Sequence, residues 1–178
     1  MNPLLRVVAV VAALFGAACA ELPRAPDDGF EFELAGRFTA QYRGEAATGI
    51  LAWRHQSGRD DLLLSSPFGQ GLARISRDGQ STTLVAADGK RYSAADAETL
   101  TEQVLGFRFP LKGLADWVRA SPASDAPATA EYMQDGRLQS LEQHGWRIEY
   151  SSYEGARPTR LKLSYPGLEL RLAISEWK

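Results

Sequence analysis

The chain has 178 residues, 44% of them hydrophobic, and carries 20 Lys and Arg against 22 Asp and Glu for a net charge of −2. That length suits one domain with one core, and the near-balanced charge excludes a basic footprint for nucleic acid. A lone cysteine excludes any disulfide within the chain.

The first residues are organised as an export leader. One positive charge at Arg6 precedes an apolar run over residues 7–15, which ends in Gly16-Ala17-Ala18 before Cys19. Spanning a bilayer takes roughly 20 apolar residues, so this run reads as a signal peptide over residues 1–18. Cys19 sits at the cleavage junction, a position that resembles the lipobox of bacterial lipoproteins, in which the cysteine becomes the lipidated first residue. Gly16 stands where that motif usually has Leu. The alternative is ordinary cleavage after Ala18 or Ala20, with Cys19 incidental. Under the enterobacterial sorting rule, Asp after the cysteine resembles an inner-membrane retention signal, and here the residue is Ala20. The resemblance therefore implies the outer membrane.

Residues 19–31 form the lipidated N-terminus and a tether rich in proline and acid, without apolar periodicity. From there to residue 178 the chain reads as one domain, and its period is two. Leu34, Phe38, Ala40 and Tyr42 alternate with polar residues, and Leu51 with Trp53 continues the pattern beyond the turn region 44–49. Residues 62–64 read as a short, continuously apolar strand. Ala73 with Ile75, then Thr82, Leu84 and Ala86, give two more strands around the turn signal Asp78-Gly79. Asp88-Gly89 marks the next reversal.

The period then becomes helical. Ser93 followed by Asp96 has the form of a helix cap, Ala97, Leu100, Val104 and Leu105 follow at helical spacing, and Gly106 stops the run. A second helix over about residues 111–119 places Leu114, Trp117 and Val118 on one face. After a Pro/Ala/Ser loop over residues 121–129, alternation returns. It passes through Tyr132, Leu138 and Leu141, then Trp146, Ile148 and Tyr150, then Leu161, Leu163 and Tyr165, and ends with Leu168, Leu170, Leu172 and Ile174. About ten short strands around a helical insertion predict a strongly curved sheet or a barrel.

An apolar sheet face must be covered, and two short helices cannot fill a wide curved sheet. Either the sheet closes on a side-chain core, or a cavity remains that an apolar ligand can occupy. Taken singly, Phe38, Trp53, Trp117, Trp146 and Tyr150 fit a plain core as well as a cavity wall. Chemistry has little foothold. The sequence has no G-x-S-x-G, H-E-x-x-H, paired Cys/His cluster or phosphate loop. His55 and His144 each stand beside turn residues and read as solvated. No enzyme, metal site or cofactor is expected.

Several segments in order resemble the lipoprotein-insertion family LolB. They are Phe32-Glu-Leu-Ala-Gly-Arg-Phe38, Gly49-Ile-Leu-Ala-Trp53, Leu62-Leu-Leu-Ser-Ser-Pro-Phe-Gly-Gln70, Tyr92-Ser-Ala-Ala-Asp-Ala-Glu98, Phe109-Pro-Leu-Lys-Gly-Leu-Ala-Asp-Trp117, Gly145-Trp146 with Tyr150, and a last strand ending in Trp177. The resemblance implies a mainly β fold, an incomplete, half-open antiparallel barrel with a short helical lid over a hydrophobic cavity. It implies an outer-membrane lipoprotein that accepts lipoproteins from a periplasmic, LolA-like carrier and inserts them into the outer membrane. Family members often have a longer segment with a helix before the first strand, which residues 20–31 leave short or missing. The competing function is a lipid-anchored module that binds acyl chains without inserting anything.

The expected partners are the carrier, cargo acyl chains and outer-membrane lipid, with the protein acting as a monomer. In the family, the loop matched by Ser66-Pro67-Phe68-Gly69 projects an apolar residue, usually Leu, into the membrane, and Phe68 stands at that position between Pro67 and Gly69. Expected cavity residues are Leu100, Val104, Leu114 and Trp117 on a mobile helical wall, opposite Phe38, Trp53, Leu64, Trp146 and Ile148. A one-residue slip in register would exchange inside and outside for the strand positions.

Overall fold

The computed structural model describes residues 29–178 except Gln80, Gly106, Phe107 and Pro110. The expected leader, Cys19 and most of the tether lie outside the described residues. From Phe32 onward the chain folds as two antiparallel meanders that meet. The first comprises β1 (Phe32–Tyr42), β2 (Glu45–Gln56), β3 (Arg59–Ser65), β4 (Gly71–Asp78), β5 (Ser81–Ala86) and β6 (Arg91–Ala94). Two short helices follow, α1 (Ala97–Leu105) and α2 (Leu111–Trp117). The second meander comprises β7 (Thr129–Tyr132), β8 (Leu138–Gln143), β9 (Trp146–Glu154), β10 (Arg157–Tyr165) and β11 (Leu168–Trp177).

Pairing of β1 with β11 joins the meanders into one sheet of eleven strands, in the order β6-β5-β4-β3-β2-β1-β11-β10-β9-β8-β7. The two outermost strands, β6 and β7, do not pair with each other, so the barrel stays open. Alternation decides which face is which: Leu34 on β1, Leu51 and Trp53 on β2, Leu62 on β3, Ile148 on β9 and Leu163 on β10 all turn inward and are buried. The helices cover that concave face, with Leu100, Leu114 and Trp117 in the common core.

Three local readings change. Ser93 belongs to β6, opposite Thr83, and the helix cap is Asp96, whose Oδ1 accepts the N–H of Thr99 at 2.7 Å. That short strand is the eleventh, and its side chains are mostly exposed, so it leaves little apolar rhythm in the sequence. Residues 62–64 alternate after all, since Leu62 is buried while Leu63 points outward and is 46% exposed. In the second meander Tyr132 is 60% exposed, while Leu138 and Leu141, three apart, are both buried. A register shift between β7 and β8 accommodates that odd spacing.

Two glycines let neighbouring strands approach closely. At Gly36 the β1–β11 register shifts, and a Cβ there would lie 2.3 Å from the Ala173 carbonyl oxygen. At Gly49 a Cβ would lie 2.4 Å from the Ser65 carbonyl oxygen and 2.7 Å from the Phe38 ring, which packs across the strand pair over the bare glycine. Both positions use glycine for close backbone approach in a bent sheet.

Gly36→Ala is therefore expected to destabilise the fold by about 1–3 kcal/mol in urea unfolding. Gly71→Ala, where added volume meets open space, should stay within about 0.5 kcal/mol of the parent. Equal effects at the two positions would show that the bend does not depend on Gly36.

Candidate functional site: an apolar cavity and its rim

The inward residues near the Tyr42 end of the sheet are not fully covered. They enclose a cavity of about 320 Å3, lined from the strands by Phe38, Ala40, Tyr42, Ala47, Leu51, Leu62, Leu64, Leu72, Ile75, Leu168, Leu170 and Leu172. Thr101, Phe109 and Leu114 complete the wall from the helical side. The Thr101 hydroxyl is already engaged, donating to the Ala97 carbonyl and accepting the Phe109 N–H, each at 2.8 Å. With that hydroxyl satisfied, the helical wall offers a ligand van der Waals contact in place of hydrogen bonds, the environment of a hydrocarbon chain.

The turn between β3 and β4 stands beside this cavity, because Leu64 and Leu72 on its two sides both line it. Its shape is fixed by its own hydrogen bonds. Gly69 N–H donates to the Ser66 carbonyl at 2.9 Å, Ser66 N–H donates to the Gln70 carbonyl at 2.7 Å, and the Ser66 hydroxyl accepts the N–H groups of Phe68 and Gln70. Gly69 adopts φ 84°, as the closing residue of such a turn requires. Pro67 and Gly69 therefore present Phe68 on a hydrogen-bonded turn. Phe68 is 94% exposed, by far the most exposed large apolar residue among those described.

The opposite end is closed. Asp60, its carboxylate fully buried, accepts the Trp53 indole N–H at 2.9 Å, the His55 Nδ1–H at 2.7 Å and the Arg77 Nε–H at 2.6 Å. Phe32 stacks on His55 at 4.8 Å and meets Trp53 and Trp177 edge-on. Glu31 reaches His55 at 3.8 Å and Arg119 at 3.2 Å, so the strand ends are tied to the segment after α2. His55 is thus a buried structural residue and not a solvated one. The turn signal beside it lies one residue beyond the end of β2, leaving His55 on the inward parity of that strand. His144 does sit at a turn, partly exposed and bonded to Asp125 at 2.9 Å.

The helical cover is held unevenly. Trp117 in α2 donates its indole N–H to Gln143 Oε1 at 2.9 Å, and its carbonyl accepts the Tyr150 hydroxyl at 2.8 Å. Gln143 also holds both the N–H and the carbonyl of Ala123. Burial raises the Tyr150 phenol far above its ordinary pKa and pushes Tyr153 up to about 12, so both remain neutral donors. Packing of α1 is instead against β5 and β6.

Of the expected cavity residues, Phe38, Leu64 and Leu114 line the cavity. Leu100, Trp53, Trp117, Trp146 and Ile148 are almost wholly buried in the core beside it, and Val104 packs against that core. The large aromatics have polar edges that must be satisfied, so they sit where Asp60 and Gln143 can reach them. Trp117 is held in the core by its two hydrogen bonds and does not line the cavity. Tyr42, Leu72, Leu168 and Leu170 are among the lining residues not expected there, and strand parity continued to the hairpin tips includes Tyr42, Leu168 and Leu170. Among the described residues no cluster of three or more His, Cys, Asp or Glu could hold a metal ion.

An open eleven-stranded half-barrel with an apolar cavity at one end and a projecting aromatic beside it defines a protein built to handle hydrocarbon. Residues 30–177 match the family model described as "Outer membrane lipoprotein LolB". A relative from Thiobacillus denitrificans, named outer-membrane lipoprotein LolB, is 37% identical over 98% of both chains. One of the same name from Azoarcus is 35% identical over 100% of this chain and 98% of its own. Another from Pseudomonas fluorescens is 38% identical over 82% of this chain and 73% of its own. A solved structure of a LolA superfamily protein from Nitrosomonas europaea is similar only at a TM-score of 0.44 and 12% identity, covering 87% of each chain. The chain belongs to the LolB family of outer-membrane lipoproteins.

Asp60→Ala is expected to cost about 3–5 kcal/mol in urea unfolding, because it leaves Arg77 buried and uncompensated. Adding Arg77→Met should recover part of that loss. A single variant as stable as the parent would show that the closed end does not rest on this carboxylate.

Proposed function

We propose that this protein takes up the acyl chains of lipoproteins arriving on a soluble periplasmic carrier, shelters them in the cavity at the Tyr42 end, and releases them into the outer membrane, with Phe68 entering the bilayer. The single observation that carries this reading is a 94% exposed phenylalanine on a hydrogen-bonded turn whose flanking leucines line an apolar cavity. Family membership supports it. On the same reading, acylated Cys19 is the anchor and the protein works as a monomer.

Energetics explain why such a cavity is needed. Each methylene moved from hydrocarbon into water costs about 0.8 kcal/mol, so several free acyl chains would cost tens of kcal/mol. The cargo must therefore pass from one apolar environment to the next. Direction comes from a gradient of affinities, with the carrier weaker than this protein and this protein weaker than the bilayer. At about 320 Å3 the cavity is at the small end of ligand pockets, so taking several chains requires the wall to yield. With α2 pinned through Trp117, the yielding part is α1.

Burial of Phe68 in the bilayer is worth about 1.5–3 kcal/mol, enough to orient the protein and too little to anchor it. Phe68→Glu should lower insertion of lipoprotein from a loaded carrier into vesicles by about tenfold or more, with acceptance from the carrier unchanged. Phe68→Leu should keep both steps. Parental insertion by Phe68→Glu would refute the role given to this side chain.

A further inference from the structure

The outer face of the sheet carries a second recess, on the side opposite the apolar cavity. It encloses about 560 Å3, and its outward side chains include Arg37, Arg160, Lys162, Arg171 and Ala173 together with one carboxylate, Glu149. Arg37 pairs with Ala173 across β1 and β11, and Ala173 pairs with Arg160 across β11 and β10. Two guanidinium groups thus flank a methyl floor, with their Cα atoms about 10 Å apart. One step along the strands Lys162 pairs with Arg171.

These four cations are not equivalent. Arg171 is engaged by Glu169 at 2.8 Å and Lys162 by Glu149. Arg37 and Arg160 have no carboxylate partner among the described residues. A chain of net charge −2 therefore keeps two free arginines side by side. Their long planar forks suit phosphate oxygens.

The row of paired residues through these arginines leads to the projecting turn. Arg37 pairs with Ile50, and Ile50 with Ser65, the last residue before the turn that bears Phe68. Ile50 is exposed on the same outer face, and so is Leu63 beside it. Strand spacing places Arg37 about 10 Å and Arg160 about 19 Å from Ser65 along this row. The order is apolar tip, apolar shoulder, then cations, which is the order of a bilayer boundary from its hydrocarbon to its phosphates.

We propose that this recess binds the phosphate groups of the phospholipid surface and so fixes how the half-barrel lies on the membrane when Phe68 enters it. The inference rests on the membrane role of Phe68 given above. The acyl anchor and the aromatic tip hold the protein at the bilayer, and contacts from Arg37 and Arg160 add the rotational setting that directs the cavity mouth to the lipid.

The test uses the exported full chain carrying Cys19→Ala, so that no acyl group holds it, sedimented with vesicles. One set is phosphatidylcholine alone, and the other is phosphatidylcholine mixed with phosphatidylglycerol. The parent should bind the mixed vesicles more tightly, with the preference shrinking as salt is added. Arg37→Gln with Arg160→Gln should weaken binding to mixed vesicles about tenfold and binding to phosphatidylcholine, whose phosphate is neutralised by its choline, much less. Arg37→Lys with Arg160→Lys should keep most of the preference. Phe68→Ser, which adds no charge, should weaken binding to both vesicle types and preserve the ratio between them. If Phe68→Ser changes nothing while the arginine effect holds, the Phe68 reading fails and the recess stands. A double Gln variant that keeps the parental preference overturns the proposal. So does one that binds both vesicle types normally but accepts cargo from the carrier more slowly, which would make the recess a protein-docking surface.

Discussion

A sheet with one apolar face has to put that face against something, and in this fold the sheet curls without closing. The sharp approaches at Gly36 and Gly49 bend β1 and β2 so that both meanders face a common interior, while β6 and β7 stop short of pairing. Two helices of nine and seven residues are the only helical cover among the described residues. They suffice for the middle of the concave face and leave the Tyr42 end uncovered. The cavity is the part of the core that the chain does not supply for itself.

The two ends of the half-barrel divide the work. At one end, Asp60 gathers donors from β2 and β4, while Phe32 stacks on His55 and meets Trp177 edge-on, so that end is sealed by interactions with defined geometry. Contacts lining the cavity at the other end are non-directional. Hydrocarbon can enter, shift and leave there without breaking a hydrogen bond. A transfer protein benefits from that contrast, since binding too tightly would halt the cargo at an intermediate stage. The turn around Phe68 is hydrogen-bonded although it borders the apolar cavity, and it holds the aromatic outward.

Much of this was legible in the sequence, and what escaped has physical causes. The two-residue period marked ten strands because most carry inward apolar residues, although Tyr132, which marked β7, faces outward. It missed β6, whose four residues bury almost nothing. It placed Phe68 in its turn from Pro67 and Gly69 alone, while the meaning of that turn came from resemblance. His55 was misread because a neighbouring turn signal says nothing about an Asp five residues on in the next strand. Only Phe38, Leu64 and Leu114 of the nine expected residues lie along the cavity, for a related reason. Tryptophans look like ligand contacts in a sequence, yet Trp53 and Trp117 each need a buried acceptor, and those acceptors hold them in the core. Small and aliphatic residues such as Ala40, Leu168 and Leu170 carry no such signature and form much of the wall.

The central claim is that cargo hydrocarbon occupies the cavity at the Tyr42 end. The most direct measurement is photolabelling with a lipoprotein whose acyl chain carries a light-activated crosslinker, followed by mapping of the labelled residues. The account predicts labels on inward residues such as Phe38, Leu64, Leu114 and Leu170. Labels confined to the outer face around Leu63 or Ile50, with none on inward positions, would contradict it.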